Sequence, residues 1–254
     1  MIEIKAADGH IVPHKTVLNG SDALVVISHG ITSDKEEGGL YTEFAERLLA
    51  PDFDSIRFDF RGHGESAMPS SEITITGALL DLMAVVQWAR SHGYRKLFHL
   101  ASSFGGSISL LAFARFSFSD FAAVTFWNPV TNYNNTFIEP KVEWAKTFFD
   151  QRKADELAYR PATLIPPKNF VIGPKMAMEL LLLHPEETVW PAQPPLLIFH
   201  GDADAHVPFS DAAAYAERNP ANVTLRRING ASHGFGGHTD TLCQETIQWF
   251  KQHL

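Results

Sequence analysis

The stretch LFHLASSFGGSISL, Leu97–Leu110, decides how this chain is read. It runs from an apolar segment into Ala101, Ser102, Ser103, Phe104, Gly105 and Gly106, and then into a helical pattern. Strand, sharp turn and helix in that order form the setting of a nucleophile elbow, whose usual form is G-x-S-x-G. The turn crowds the side chains two before and two after the nucleophile, so both must be small. With Ser103 as nucleophile they are Ala101 and Gly105; with Ser102 they would be Leu100 and Phe104, both too large. Ser103 is therefore the candidate, with Ala101 in place of the commoner glycine. Without this context, a serine before two glycines could be no more than a helix N-cap.

Outward from the elbow the chain alternates. Leu24–Ser28, Ser55–Phe60, Lys96–Ala101, Phe121–Phe126, Pro195–His200 and Val223–Ile228 are short, mostly apolar runs that predict strands. Leu40–Leu49, Ile75–Ser91, Gly105–Phe116, Ser210–Arg218 and Thr241–His253 have helical length and pattern. Strand followed by helix, repeated this often, predicts an α/β fold: a mostly parallel central sheet with helices on both faces. Ile2–Leu18 predicts two short strands around an Asp8-Gly9 turn. From Thr131 to Val189 no strand alternation is visible, whereas Val142–Leu157 and Pro174–Leu183 look helical. That stretch is too long for an ordinary connection, so residues 131–189 are expected to form a helical cap, or lid. The cap would be inserted in a core made of residues 1–130 and 190–254.

A serine hydroxyl needs a base to take its proton, and the base needs an acid to hold its tautomer. In this architecture the order is Ser, then Asp or Glu, then His, each after a later strand. His233 follows the VTLRRI strand, and Asp202 and Asp204 both follow the PLLIFH strand. Position alone leaves the two carboxylates in competition. His206 is a poorer base because it shares the acid's loop, and it is expected at the rim of the pocket. Two N–H donors should stabilise the charge that develops on the carbonyl oxygen. Phe104, after the nucleophile, supplies one. Ile31, in the ISHGITSDKEEGG loop after an early strand, is the best match for the other, and His29 and Gly30 just before it are expected substrate contacts. Trp127, at the end of a strand, is a candidate for the pocket wall.

Composition narrows the function classes. The chain has 254 residues, a formal net charge of -8, and 45% hydrophobic residues, so it is neither disordered nor fibrous. That acidity gives no footprint for nucleic acid. The lone Cys243 excludes an internal disulfide and favours a reducing, cytoplasmic setting. No signal-like start and no run approaching 18 apolar residues is present, so no membrane insertion is expected. The N-x-T sequons at Asn134 and Asn222 then read as chance matches. FDFRGHGES, Phe58–Ser66, lacks either phosphate-loop glycine pattern and is expected to pack beneath the elbow through Asp59 and Arg61. None of the 12 histidines lies in an H-E-x-x-H pattern, so neither a catalytic metal nor another cofactor is expected. A homodimer remains open.

These residues resemble the α/β-hydrolase fold family, and within it the bacterial cinnamoyl or feruloyl esterase-like branch, near the serine aminopeptidase and monoacylglycerol lipase-like group. The resemblance covers essentially the whole chain. It rests on His29-Gly30-Ile31-Thr32, on Arg57 to Ser66, on Gly201, Asp204 and Val207, and on Gly230, Ala231 and His233. It implies Asp204 as the acid, a Ser103–His233–Asp204 triad, and hydrolysis of a small ester with an apolar acyl or aryl-acyl group through an acyl-enzyme. The Ala101-Ser102-Ser103 start departs from the usual glycine and is similar to the acyl-carrier thioesterases of bacterial luminescence, which keeps an acyl-thioester substrate in view. An aminopeptidase or amidase and a non-catalytic binding protein are the remaining alternatives.

Overall fold

The computed structural model describes residues 3–116, 118–146, 163–165 and 169–254. Its centre is a seven-stranded sheet in the order β1-β3-β2-β4-β5-β8-β9. The strands are β1 (His14–Val17), β2 (Ala23–Ser28), β3 (Asp54–Phe58), β4 (Lys96–Ser102), β5 (Phe121–Trp127), β8 (Leu196–Gly201) and β9 (Val223–Ile228). Only the β1–β3 pair is antiparallel; every other neighbouring pair runs parallel. The six strands read from the sequence are all present. At the N-terminus the expected hairpin is reduced to a single antiparallel bridge, Lys5 with Ile11, and the one true strand there, β1, pairs with β3 instead.

Alternation along the strands sorts the core into two layers. On β2, Leu24 and Val26 face one cluster with Ile75, Leu82 and Val86 of α2 (Ile75–Ser91) and Ile108 and Leu111 of α3 (Ser103–Arg115). Ala23, Val25 and Ile27 face the other, with Tyr41 and Phe44 of α1 (Leu40–Arg47). Leu242, Cys243 and Phe250 of a C-terminal helix, Thr239–Lys251, complete that second layer. Helix α2 starts where the Thr74 hydroxyl accepts the Gly77 N–H at 2.9 Å, an N-cap on a residue before a long apolar pattern. Among the described residues no helix is long and apolar enough to cross a membrane.

The chain leaves β2 for β3 on one side and later returns to lay β4 on the other, so the strand order reverses between β2 and β4. Open α/β sheets bind ligands at the carboxyl ends of strands at such a point. Here those ends lead into Ser28–Ile31 and Ser102–Ser103.

The 131–189 segment is only partly as expected. A π-helical turn (Asn134–Ile138), α4 (Glu143–Lys146) and α5 (Pro174–Leu182) are present, the last within one residue of its expected span. The expected helix from Val142 otherwise falls outside the described residues. Between α4 and α5 the structure adds an antiparallel pair, β6 (Thr163–Ile165) and β7 (Phe170–Ile172), where no strand was anticipated. Three residues per strand is too short for a period of two to stand out in sequence. The C-terminal part of this segment is bolted to the core. The Ser70 hydroxyl accepts the Val171 N–H at 2.9 Å, Lys175 pairs with Glu72 at 2.8 Å, and Glu179 accepts from the Ile75 N–H and the Thr76 hydroxyl at the start of α2. A Cβ on Gly173 would lie 1.8 Å from the Ser71 carbonyl oxygen, so only glycine allows this approach.

Candidate active site

Ser103 sits at the junction of β4 and α3 with φ +47°, a left-handed conformation rare for serine. The strain is held in place by close packing. A Cβ on Gly105 would be 2.6 Å from the His29 carbonyl oxygen, and one on Gly106 would be 2.6 Å from Pro129 Cβ. The Ser103 carbonyl accepts the Val130 N–H at 2.9 Å, which ties the turn to the end of β5. The size rule applied to the sequence thus has a concrete source at Gly105: the following turn of α3 lies directly on the β2 exit loop.

Three strand ends converge. His233 Nε2 lies 3.1 Å from Ser103 Oγ, and His233 Nδ1 lies 2.7 Å from Asp204 Oδ2. The other Asp204 oxygen accepts the backbone N–H groups of His206 at 2.8 Å and Val207 at 3.0 Å. Burial would raise the Asp204 pKa, but hydrogen bonding from His200 and His233 outweighs it and holds the carboxyl well below its usual range. With Asp204 ionised, His233 Nδ1 carries the proton and Nε2 is free to accept one from Ser103.

Asp202 does something else. Its carboxylate accepts from Arg227 Nε at 2.8 Å and from the Gly230 N–H at 2.6 Å, which fixes the loop that leads to His233. Hydrogen bonding to Arg227 and Gly230 lowers its pKa. The two competing carboxylates are therefore separated by partner: one faces an imidazole, the other a guanidinium.

Several contributors were not read from the sequence. His200, fully buried on β8, lies 3.4 Å from Asp204 Oδ2 while its Nε2 also reaches the Val207 carbonyl at 3.2 Å. Asn128, with φ +44°, accepts the Gly201 N–H at 2.9 Å and donates to the His233 carbonyl at 2.5 Å. It joins the ends of β5 and β8 to the histidine loop. Glu37 accepts the Gly30 N–H at 3.3 Å and lines the cavity. Neither an asparagine after a strand nor a glutamate in a loop has a distinctive pattern, so only the fold reveals them.

A cavity of about 280 Å³ opens above Ser103, lined among others by Gly30, Ile31, Trp127, Trp144, His206 and His233. Ile31 and Gly30 thus stand at its wall, and a Cβ on Gly30 would come within 3.0 Å of Ser103 Cβ. Phe104 buries its side chain in the core and offers only its main chain at the elbow. Trp127 forms part of the floor, its ring packed on Tyr41 and Phe44 and its N–H donated to Thr246 at 3.0 Å. His29, expected as a substrate contact, is instead fully buried and does not line the cavity. Its Nε2 accepts the Phe60 N–H at 3.1 Å, so Nδ1 carries the proton and donates to the Gly30 carbonyl at 2.7 Å. That orients the peptide unit whose N–H belongs to Ile31. Asp204, His206 and His233 each offer a donor atom within 4.8 Å of the others, the sort of group that can surround a metal ion. The His233 nitrogens, however, are engaged with Asp204 and Ser103.

A family model described as serine aminopeptidase, S33, matches residues 19–161. Among solved structures, Est1E from Butyrivibrio proteoclasticus with ferulic acid bound has a TM-score of 0.84 at 21% identity, covering 100% of this chain and 99% of that one. A monoacylglycerol lipase from Paleococcus ferrophilus has a TM-score of 0.75 at 16% identity, covering 96% and 99%. An esterase from Exiguobacterium antarcticum has a TM-score of 0.73 at 18% identity, covering 98% of each chain. At these identities the likeness carries the fold. No curated protein matches the sequence significantly.

Proposed function

The chain belongs to the serine aminopeptidase S33 family of α/β hydrolases, and we propose that it hydrolyses a small carboxylic ester through an acyl-enzyme on Ser103. The observation that carries this reading is the unbroken line from Ser103 Oγ through the His233 ring to Asp204, at 3.1 and 2.7 Å. As Ser103 Oγ attacks the carbonyl carbon, His233 Nε2 takes its proton, and Asp204 stabilises the resulting imidazolium. The oxyanion accepts from the Ile31 and Phe104 N–H groups. Collapse of the tetrahedral species expels the alcohol, which receives the proton from His233. Water, deprotonated by the same imidazole, then attacks the acyl-enzyme, and as the acyl–Oγ bond breaks His233 returns the proton to Ser103 Oγ and the acid leaves.

The apolar lining, with Ile31, Val130, Phe137 and Trp144, suits an apolar acyl or aryl-acyl group. The names of the similar structures, an esterase and a monoacylglycerol lipase among them, point the same way. The 131–189 segment is assigned the part of a cap, since among its described residues Thr136, Phe137 and Trp144 line the cavity. A cytoplasmic setting belongs to the same proposal, because a lone cysteine makes no internal disulfide.

The test is hydrolysis of p-nitrophenyl butyrate together with labelling by a fluorophosphonate. The wild type should turn over the ester and take up one label. Ser103→Ala should do neither while keeping its circular-dichroism spectrum. Near-normal turnover by that variant would sink the assignment. Matched acyl-thioesters and aminoacyl amides, compared by kcat/KM, decide whether oxygen esters are the preferred class.

A further inference from the structure

His206 is an unusual wall residue for an apolar cavity. It is half-buried, its ring lies 5.1 Å from that of His233 and 5.1 Å from that of Trp144, and its own backbone N–H is committed to Asp204. The ring itself makes no hydrogen bond among the described residues, and its Nδ1 is buried without a partner. An imidazole normally uses both nitrogens. A bare lone pair is more tolerable in a buried position than an orphaned N–H. The proton therefore belongs on Nε2, the nitrogen left for the cavity. Burial, with the neighbouring His233, lowers the His206 pKa, which keeps the ring neutral at neutral pH.

The direction of the reaction says what that N–H would meet. His233 Nε2 faces Ser103 Oγ and must deliver the proton to the departing oxygen, so the alcohol part of the substrate lies over His233. Gly30 and Ile31 approach Ser103 from the β2 exit loop and belong to the carbonyl oxygen. His206 lies beside His233, its ring tilted 36° from that of His233, and so flanks the alcohol. Resting on the ester-hydrolase reading above, we infer that His206 is a specificity residue that donates a hydrogen bond to a second oxygen in the leaving alcohol, about two carbons from the ester oxygen. The substrates favoured are esters of alcohols with a neighbouring hydroxyl or ether oxygen, in preference to plain alkyl alcohols.

An isosteric pair tests this: n-butyl butyrate and 2-methoxyethyl butyrate, which differ by one methylene replaced with oxygen, followed by pH-stat alongside p-nitrophenyl butyrate. The wild type should favour the methoxyethyl ester by roughly fivefold to tenfold in kcat/KM, the worth of one hydrogen bond, mainly through KM. His206→Leu should abolish that preference, and His206→Gln, which keeps an N–H donor, should restore part of it. A ratio unchanged in His206→Leu, or a Gln variant that behaves like Leu, would overturn the inference. If the wild type cleaves p-nitrophenyl butyrate with no oxygen preference, this inference alone falls. If it cleaves none of the three esters, the hydrolase reading falls and takes the inference with it.

Discussion

On the Ser103 side of the cavity the wall is backbone pinned from several directions, whereas on the Trp144 side it is a side chain packed on its neighbours. The elbow is fixed by Gly105 against His29, by Gly106 against Pro129, and by the Val130 N–H on the Ser103 carbonyl. Asn128 and Asp202 do the same for the histidine loop. Trp144, on α4, packs against His206 and the core cluster, with the exposed Glu143 and Lys146 to either side of it in the helix. The contrast teaches a division of labour. Bond-making geometry is set by the sheet, where a displacement of an ångström is costly. On the proposed function, substrate choice falls to the other wall.

The strongest way to break this picture is at the two carboxylates of one loop. Asp204→Asn should leave the fold intact and lower kcat by about 10⁴, because the amide favours the wrong imidazole tautomer. Asp202→Asn should cost far less, since Asp202 braces the loop through Arg227 and Gly230 and does not touch the imidazole. Comparable losses in the two variants, measured with p-nitrophenyl butyrate, would contradict the assignment of the acid.

Next in size is the packing under the elbow. Gly105→Ala places a methyl 2.6 Å from the His29 carbonyl oxygen, a backbone atom that cannot swing aside. A destabilisation of about 1–3 kcal/mol is expected from overpacking, with activity lost from the folded fraction as the oxyanion loop is displaced. A urea midpoint and kcat both equal to the wild type would show that the elbow is looser than its contacts imply.

The same contrast governs how much could be read beforehand. Gly105 and Ala101 were legible because a sharp turn imposes a size limit that any sequence must obey. His233 stood out because the sheet brings its strand ends together whatever lies between, whereas strand position left Asp202 and Asp204 in competition and only the family resemblance pointed to Asp204. The strand pair β6–β7 was not, since three residues carry no period. Nor was the part of His29, because a histidine before a glycine looks the same whether its ring points to substrate or, as here, braces the Gly30 carbonyl from below. His200 and Asn128 act through distances that exist only once β5, β8 and the histidine loop are assembled.

On the variable wall the effects should be smaller and substrate-dependent. Trp144→Ala removes apolar surface from the cavity, so kcat/KM for a bulky aryl-acyl ester should fall by about threefold to tenfold, the scale of one or two buried methylenes or more. An acetyl ester should hardly notice, and the urea midpoint should stay near that of the wild type. Equal losses for large and small acyl groups would mean that Trp144 supports the triad and belongs with the first wall.

The last and gentlest lever is pH acting on the core that supports the first wall. Burial lowers the pKa of His99, under the elbow helix, from its ordinary 6.5 to about 4, and that of His63 to about 3. As pH falls below 6.5 the unfolded chain takes up these protons before the folded one, so protonation favours unfolding. Stability is then full above about 6.5 and is lost progressively down to the folded-state values. Glu36 and Asp8, both held down to about 2, have the usual carboxylate sign: burial works against the shift at Glu36, but hydrogen bonds from Lys15 and Thr42 prevail, while at Asp8 the bond from Arg61 dominates. Their contribution is present above about 4 and disappears toward 2. The urea midpoint should therefore hold level between pH 8 and 7 and begin to fall near 6.5, well before the carboxylates titrate. His99→Gln can keep a partner in Ser109 and cannot titrate, so between pH 6.5 and 4 its stability should depend less on pH, by at most about 1.4 kcal/mol per pH unit, the slope of one proton. An unaltered slope in that variant would place the acid sensitivity elsewhere than beneath the elbow.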